Sequence, residues 1–142
     1  REMLLKDRAS HAGFMSLIPT LGDVETNIAS LSNSLAALPR FDFVLLGMGE
    51  DAHTASLFPC APELMDGLTK TDSALITSPK MAVHKRVSLS KCRLKNTYHG
   101  IIHIVGNNKK AMFKVATESG DEILHPINAF LGQSGFPCWW AP

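Results

Sequence analysis

The sequence predicts an α/β domain: a mostly parallel sheet with flanking helices. Two short apolar runs carry that expectation, residues 43–46 and 100–105, each followed at once by a glycine (Gly47 and Gly106). Runs of this kind bounded by glycines read as strands buried in a parallel sheet. A third observation orders them. Val24, Ile28, Leu31, Leu35 and Leu38 recur at intervals of three and four, the spacing of one helix face. A helix therefore leads directly into the first strand, an α-then-β step of a doubly wound sheet.

Taken in order, residues 1–9 read as the tail of a helix already under way, and residues 14–18 as either a short strand or a connector ending at Pro19. The helix over 23–38 has Thr20 or Asp23 to cap it and Pro39 to stop it. After the strand 43–46, Gly47 and Gly49 permit a sharp turn where a side chain would clash or force an unfavourable φ. Residues 61–68 form a short helix or loop over that turn. Residues 74–77 are a brief strand, followed by a Ser78-Pro79 turn, and residues 86–90 (RVSLS) alternate as a strand should. A short helix over 91–96 leads to the strand 100–105. Beyond Gly106 a helix runs from Asn107 to about Glu118, with Ala111, Val115 and Ala116 at helical spacing.

Composition bounds the possibilities. The 142 residues make one domain at most, long enough for a real core. Hydrophobic residues at 45% and charged residues at 19% describe a soluble globular chain rather than a disordered one. A formal net charge of +1 gives no electrostatic reason to expect nucleic acid or an acidic membrane as partner. No apolar run approaches the roughly 20 residues a membrane span needs, and no signal-peptide pattern opens the chain. Cys60, Cys92 and Cys138 are scattered, odd in number and form no CxxC, so reduced thiols in a cytoplasmic protein are expected. His99 and His103 have the i, i+4 spacing that ligates zinc on a helix. Their surroundings read as a strand with no third ligand nearby, so no metal site is expected. No repeat or low-complexity segment appears.

The chemistry concentrates in Glu50, Asp51, His53, Thr54 and Ser56, at the carboxyl end of the first strand, where open α/β sheets bind their ligands. His53 can take and return a proton near neutrality. Asp51, two residues earlier, either orients that imidazole or caps a helix beginning near His53. Such a helix would put Thr54, Ala55 and Ser56 in its first turn, with free N–H groups for an anion or oxyanion. The plainer alternative makes Asp51 only a cap and His53 only a turn residue. At the second strand end, Gly106 and the helix behind it place Lys109 and Lys110 in a first turn, a plausible phosphate site.

The stretch Gly47-Met48-Gly49-Glu50-Asp51-Ala52-His53-Thr54-Ala55-Ser56-Leu57-Phe58-Pro59 resembles the G-x-G-x-D-G-H-T-A-S-L-F-P signature of the 6-phosphogluconolactonases, in the glucosamine-6-phosphate isomerase/6-phosphogluconolactonase family. It departs at Ala52, where the family has glycine, and at Cys60. If position 52 needs a positive φ, Ala52 carries strain on the order of a kcal/mol. The resemblance runs from near Arg1 to Pro142 and implies a Rossmann-like sheet. The whole chain is then a single α/β domain, the carboxyl-terminal portion of a longer lactonase-like fold whose basic amino-terminal segment has no counterpart here. The tail resembles the end of bacterial lactonases: a short helical stretch after Pro126, then a last strand ending in Trp140-Ala141-Pro142. Phe136, Trp139 and Trp140 read as core or subunit-contact residues rather than ligand stackers.

What the resemblance implies is hydrolysis of 6-phospho-D-glucono-1,5-lactone in the oxidative pentose phosphate pathway. His53 would be the general base and Asp51 its orienting partner, Gly47, Gly49 and Thr54 would line the substrate, and Arg86 and Lys109 would anchor the phosphate. The family's G-x-x-K motif falls on Gly106 and Lys109, with Lys110 facing solvent. Arg86 precedes a segment similar to the family's R-[IV]-[ST]-L-[ST], with a solvated edge arginine as the plain alternative. No metal or organic cofactor is required, and Ser56 lacks the G-x-S-x-G elbow of a nucleophile. Glucosamine-6-phosphate deaminase shares the motif as far as the histidine, but Phe58 stands where that enzyme has a titrating glutamate. A catalytically silent sugar-phosphate-binding fragment is the rival from another class.

Overall fold

The computed structural model describes residues 5–18, 23–81, 83–132 and 135–142. Its helices are α1 (Val24–Ala37), α2 (Leu64–Thr69), α3 (Lys91–Lys95) and α4 (Asn107–Ser119), with short 3-10 helices at Asp7–Ala9 and Pro126–Phe130. Its strands are β1 (Phe41–Leu46), β2 (Ala74–Thr77), β3 (Arg86–Leu89), β4 (Thr97–Val105) and β5 (Cys138–Ala141). β1, β4 and β5 form a parallel sheet in that order, while β2 and β3 pair antiparallel beside it. The α/β expectation with a mostly parallel sheet holds.

Why each element forms is local chemistry. The apolar stripe of α1 faces inward as its spacing requires, with Leu35 buried. Asp23 stands at its N-cap, yet its side chain makes no capping bond, and Thr20 lies outside the described residues. Ser32 is buried on the same helix, its hydroxyl accepting from the N–H of Ser73 at 2.8 Å and so tying α1 to the start of β2. Residues 14–18 form no strand and are a connector. Of the expected helix tail at 1–9, residues 1–4 lie outside the described residues and Asp7–Ala9 is a 3-10 turn.

α4 starts and ends where glycine allows it. Gly106 at φ 92° precedes it, and Gly120 in the left-handed region closes it, donating to the carbonyl of Ala116. Met112, Phe113 and Ala116 pack on the core, while Ala111 and Val115 are exposed. Of the core or subunit-contact residues expected in the tail, only Phe136 joins the core, against Phe130; Trp139 and Trp140 are exposed on β5, which excludes the core alternative for them.

The core lies on one side of the parallel sheet, between Val44, Leu46, Ile102 and Ile104 and the buried Leu57, Leu64, Ile127 and Phe130. The register pairs Phe43 with His99 and Leu45 with Ile101 on the other face. There Phe43, Leu45, Val105 and Trp139 are all exposed. At the amino end of β1, buried Arg93 lies 3.8 Å over the Phe41 ring and donates to the carbonyl of Pro39 at 2.8 Å, pinning α3 to the strand.

Candidate active site

β1 ends at Leu46, opposite Ile102, and β4 continues three residues further before Gly106 turns the chain into α4. The turn after β1 and the first turn of α4 therefore meet above the carboxyl ends of the parallel strands. Between them lies a cleft of about 400 Å³ lined by Gly47, Met48, Gly49, His53, Ala55 and Lys109.

The turn from Gly47 to Ala61 is laced to itself. The N–H of Gly49 donates to the carbonyl of His53 at 2.9 Å, and that of Ala52 to the carbonyl of Gly49 at 3.1 Å. The Thr54 hydroxyl donates to the carbonyl of Gly47 at 2.7 Å. Two anchors join it to the rest of the fold: the N–H of Ile127 donates to the carbonyl of Ala52 at 3.0 Å, and the N–H of Ser56 to the Ser88 hydroxyl at 3.1 Å. No helix begins near His53, contrary to the capping alternative. Ala52 and Ala55 instead take positive φ values, 61° and 50°, which breaks any helical run at once.

Asp51 contacts the imidazole instead: its Oδ1 sits 2.5 Å from His53 Nδ1 and also accepts from the backbone N–H of His53 at 3.2 Å. A carboxylate only accepts, so Nδ1 of a neutral His53 carries the proton and Nε2 is left as the basic nitrogen. Behind the ring stands Gly49. A Cβ there would lie 2.2 Å from His53 Cε1 and 2.3 Å from Nδ1, so only glycine lets the imidazole rest against the chain. Gly47 lines the cleft, but the turn does not require a glycine there: it has no positive φ, and a Cβ on it would meet open space.

The remaining expected residues divide. Lys109 reaches the cleft, while Lys110, one position on, lays its ammonium 3.6 Å over the Trp140 ring. Successive helix residues point about 100° apart, which separates the two lysines. Thr54 is buried with its hydroxyl committed to Gly47, so it braces the turn and does not line the cleft. The Ser56 N–H is likewise committed. Arg86 is not brought to the cleft. Its Nη1 donates to the carbonyl of His84 at 3.2 Å, and it lines a separate cavity of about 460 Å³ with Ile18, Glu25 and Ile76.

Sequence reasoning missed Ser88 as the support of the turn, though the alternation of RVSLS puts it on the same face as Arg86. It also missed the place of Phe58, whose ring stacks on His53 with centroids 4.0 Å apart and planes at 30°. His99 and His103 lie on β4 as expected. Among the described residues no three His, Cys, Asp or Glu side chains gather as a metal site.

The family model described as glucosamine-6-phosphate isomerases/6-phosphogluconolactonase matches residues 1–139. A 6-phosphogluconolactonase of Neisseria meningitidis is 34% identical over 143 residues, taking in 97% of this chain and 61% of the relative. One from Rhizobium meliloti is 35% identical over 144 residues, taking in 98% and 62%. The crystal structure of a 6-phosphogluconolactonase from Shewanella baltica superposes with a TM-score of 0.90 at 40% identity, covering 99% of this chain and 62% of that one. The chain thus spans about three fifths of the length of the curated relatives it matches.

Proposed function

We propose, because the chain belongs to the glucosamine-6-phosphate isomerase/6-phosphogluconolactonase family, that its site hydrolyses 6-phospho-D-glucono-1,5-lactone to 6-phospho-D-gluconate in the oxidative pentose phosphate pathway. The observation that carries the reading is the His53 imidazole, held by Asp51 at 2.5 Å and facing the same cleft as Lys109. An imidazole able to accept a proton, beside a lysine ammonium, suits a neutral ester joined to a phosphate.

The step runs as follows. His53 Nε2 takes a proton from water, and the hydroxide oxygen bonds to the lactone carbonyl carbon. The resulting oxyanion collapses, the bond from that carbon to the ring oxygen breaks, and the Nε2 proton passes to the ring oxygen. Asp51 keeps the imidazole in one tautomer and steadies its charged form. The Ala55 N–H, in the cleft wall and without a hydrogen-bond partner among the described residues, is the donor we assign to the oxyanion. Lys109 anchors the phosphate, turning remote binding energy into orientation. Arg86, which lines a separate cavity, is given no part in this step. Phe58 offers no titrating group against the His53 ring, which favours lactone hydrolysis over an aminosugar ring opening that needs a second acid. Three free cysteines support a cytoplasmic setting.

The test is the hydrolysis of 6-phosphogluconolactone, corrected for its spontaneous rate, by the protein and by His53→Ala. The variant is expected to lose at least about 100-fold in kcat; an unchanged rate would remove the reading.

A further inference from the structure

We propose that Phe58 is a positioning residue that holds the plane of the His53 imidazole, an inference that rests on the assignment of His53 as the base. Two contacts already constrain the ring: Asp51 fixes Nδ1, and Gly49 stands against Cε1 and Nδ1. The hydrogen bond alone does not fix the ring plane, since an imidazole held at Nδ1 can still pivot about it. The Phe58 ring closes this last freedom, stacked at 4.0 Å and 30° on one face. Phe58 thus limits the directions in which Nε2 can point.

The stack is built into the turn. An isolated bridge pairs Thr54 with Leu57, whose N–H donates to the Thr54 carbonyl at 2.9 Å. Leu57 is fully buried, which anchors the returning chain in the core. The next residue is therefore Phe58, delivered over a histidine five positions earlier, and its carbonyl accepts from Ala61 at 3.1 Å. Phe58 does not line the cleft, so its influence on substrate passes through His53. Among the described residues, Asp51 pairs with that imidazole from its own turn, and Lys109 of α4 lines the same cleft.

Such a residue acts on kcat more than on KM, because orientation of the base matters in the transition state while ground-state binding is left to other groups. In the intact protein, Phe58→Leu is expected to lower kcat about tenfold, the equivalent of one aromatic stack, with KM within about twofold. Phe58→Tyr, which restores a ring, is expected to recover kcat to within about twofold. The independent readout is the proton resonance of the His53 ring, which the Phe58 ring current displaces upfield in the parent and in Phe58→Tyr. In Phe58→Leu it is expected to move back downfield. Phe58→Met keeps volume without a ring and serves the same comparison if the leucine variant does not fold. A His53 resonance that ignores loss of the ring, or a loss confined to KM, overturns the proposal. A resonance that moves as expected in a protein without activity on the lactone keeps the positioning role and overturns the substrate assignment instead.

Discussion

Asp51 and His53 meet side chain to side chain, Oδ1 to Nδ1 at 2.5 Å, because Ala52 between them turns through φ 61°. Residues two apart in an extended chain would share a face but stand too far apart for so short a contact. The left-handed residue folds the carboxylate back onto the imidazole.

Asp51→Asn tests what that contact does. An asparagine can donate its amide N–H to Nδ1 and so stabilise the tautomer in which Nε2 carries the proton. On 6-phosphogluconolactone, kcat is expected to fall by about 100-fold or more with KM little changed. A kcat close to the parent's would mean that the carboxylate does not set the tautomer.

Ala52 is strained but not costly overall. A left-handed alanine costs roughly 1–2 kcal/mol, yet its fully buried methyl returns about 0.8 kcal/mol. A glycine in its place would lose roughly 0.5–1 kcal/mol of chain entropy. Ala52→Gly is therefore expected to change unfolding stability by less than about 1 kcal/mol, and Ala52→Val, branched and without room, to destabilise by about 2 kcal/mol or more. Urea denaturation midpoints measure both.

The two glycines of the turn should respond in opposite ways to one methyl. In Gly49→Ala the added Cβ occupies the place of the His53 ring. A displacement of about 1 Å is expected to lower kcat/KM about 100-fold. Gly47→Ala meets open space at an ordinary φ and is expected to leave the melting temperature unchanged. The pair is read by lactone kinetics for the first and calorimetry for the second.

Acid should loosen the segment after α4. Asp121 accepts from the N–H groups of Leu124 at 3.0 Å and Ile123 at 2.7 Å, and these bonds hold its carboxyl below the usual aspartate range. A depressed folded pKa contributes stability that is fully present above the unfolded value of about 3.9 and lost as pH falls through the folded value. Between about pH 5 and pH 2, Asp121→Asn is expected to show a shallower loss of stability than the parent. Parallel slopes would show that these bonds do not favour the ionised form.

The order of helices and strands was legible because each depends on a window of a few residues: the stripe of α1, the glycine ends of β1 and β4, the alternation of β3. The motif around His53 was legible for the same reason, since the Asp51 contact spans two residues. What failed needed distant partners. The alternative of a helix after Asp51 is not realised; Ile127 and Ser88, from elsewhere in the chain, bond to the backbone of that turn. That Phe136 is buried while Trp139 and Trp140 are exposed follows from how β5 lies against β4, which no short window contains.

The sequence by itself determined that an aspartate and a histidine stand two residues apart on a glycine-bearing turn after a buried strand, because turn geometry and apolar period are local properties. Only the tertiary structure decided the company that pair keeps. The parallel register of Leu46 with Ile102 brings Lys109 to the cleft, while Arg86 on the antiparallel hairpin is left outside it. Strand register is fixed by the packing of a whole sheet face, and a side chain's neighbours across it are set only when that packing is complete.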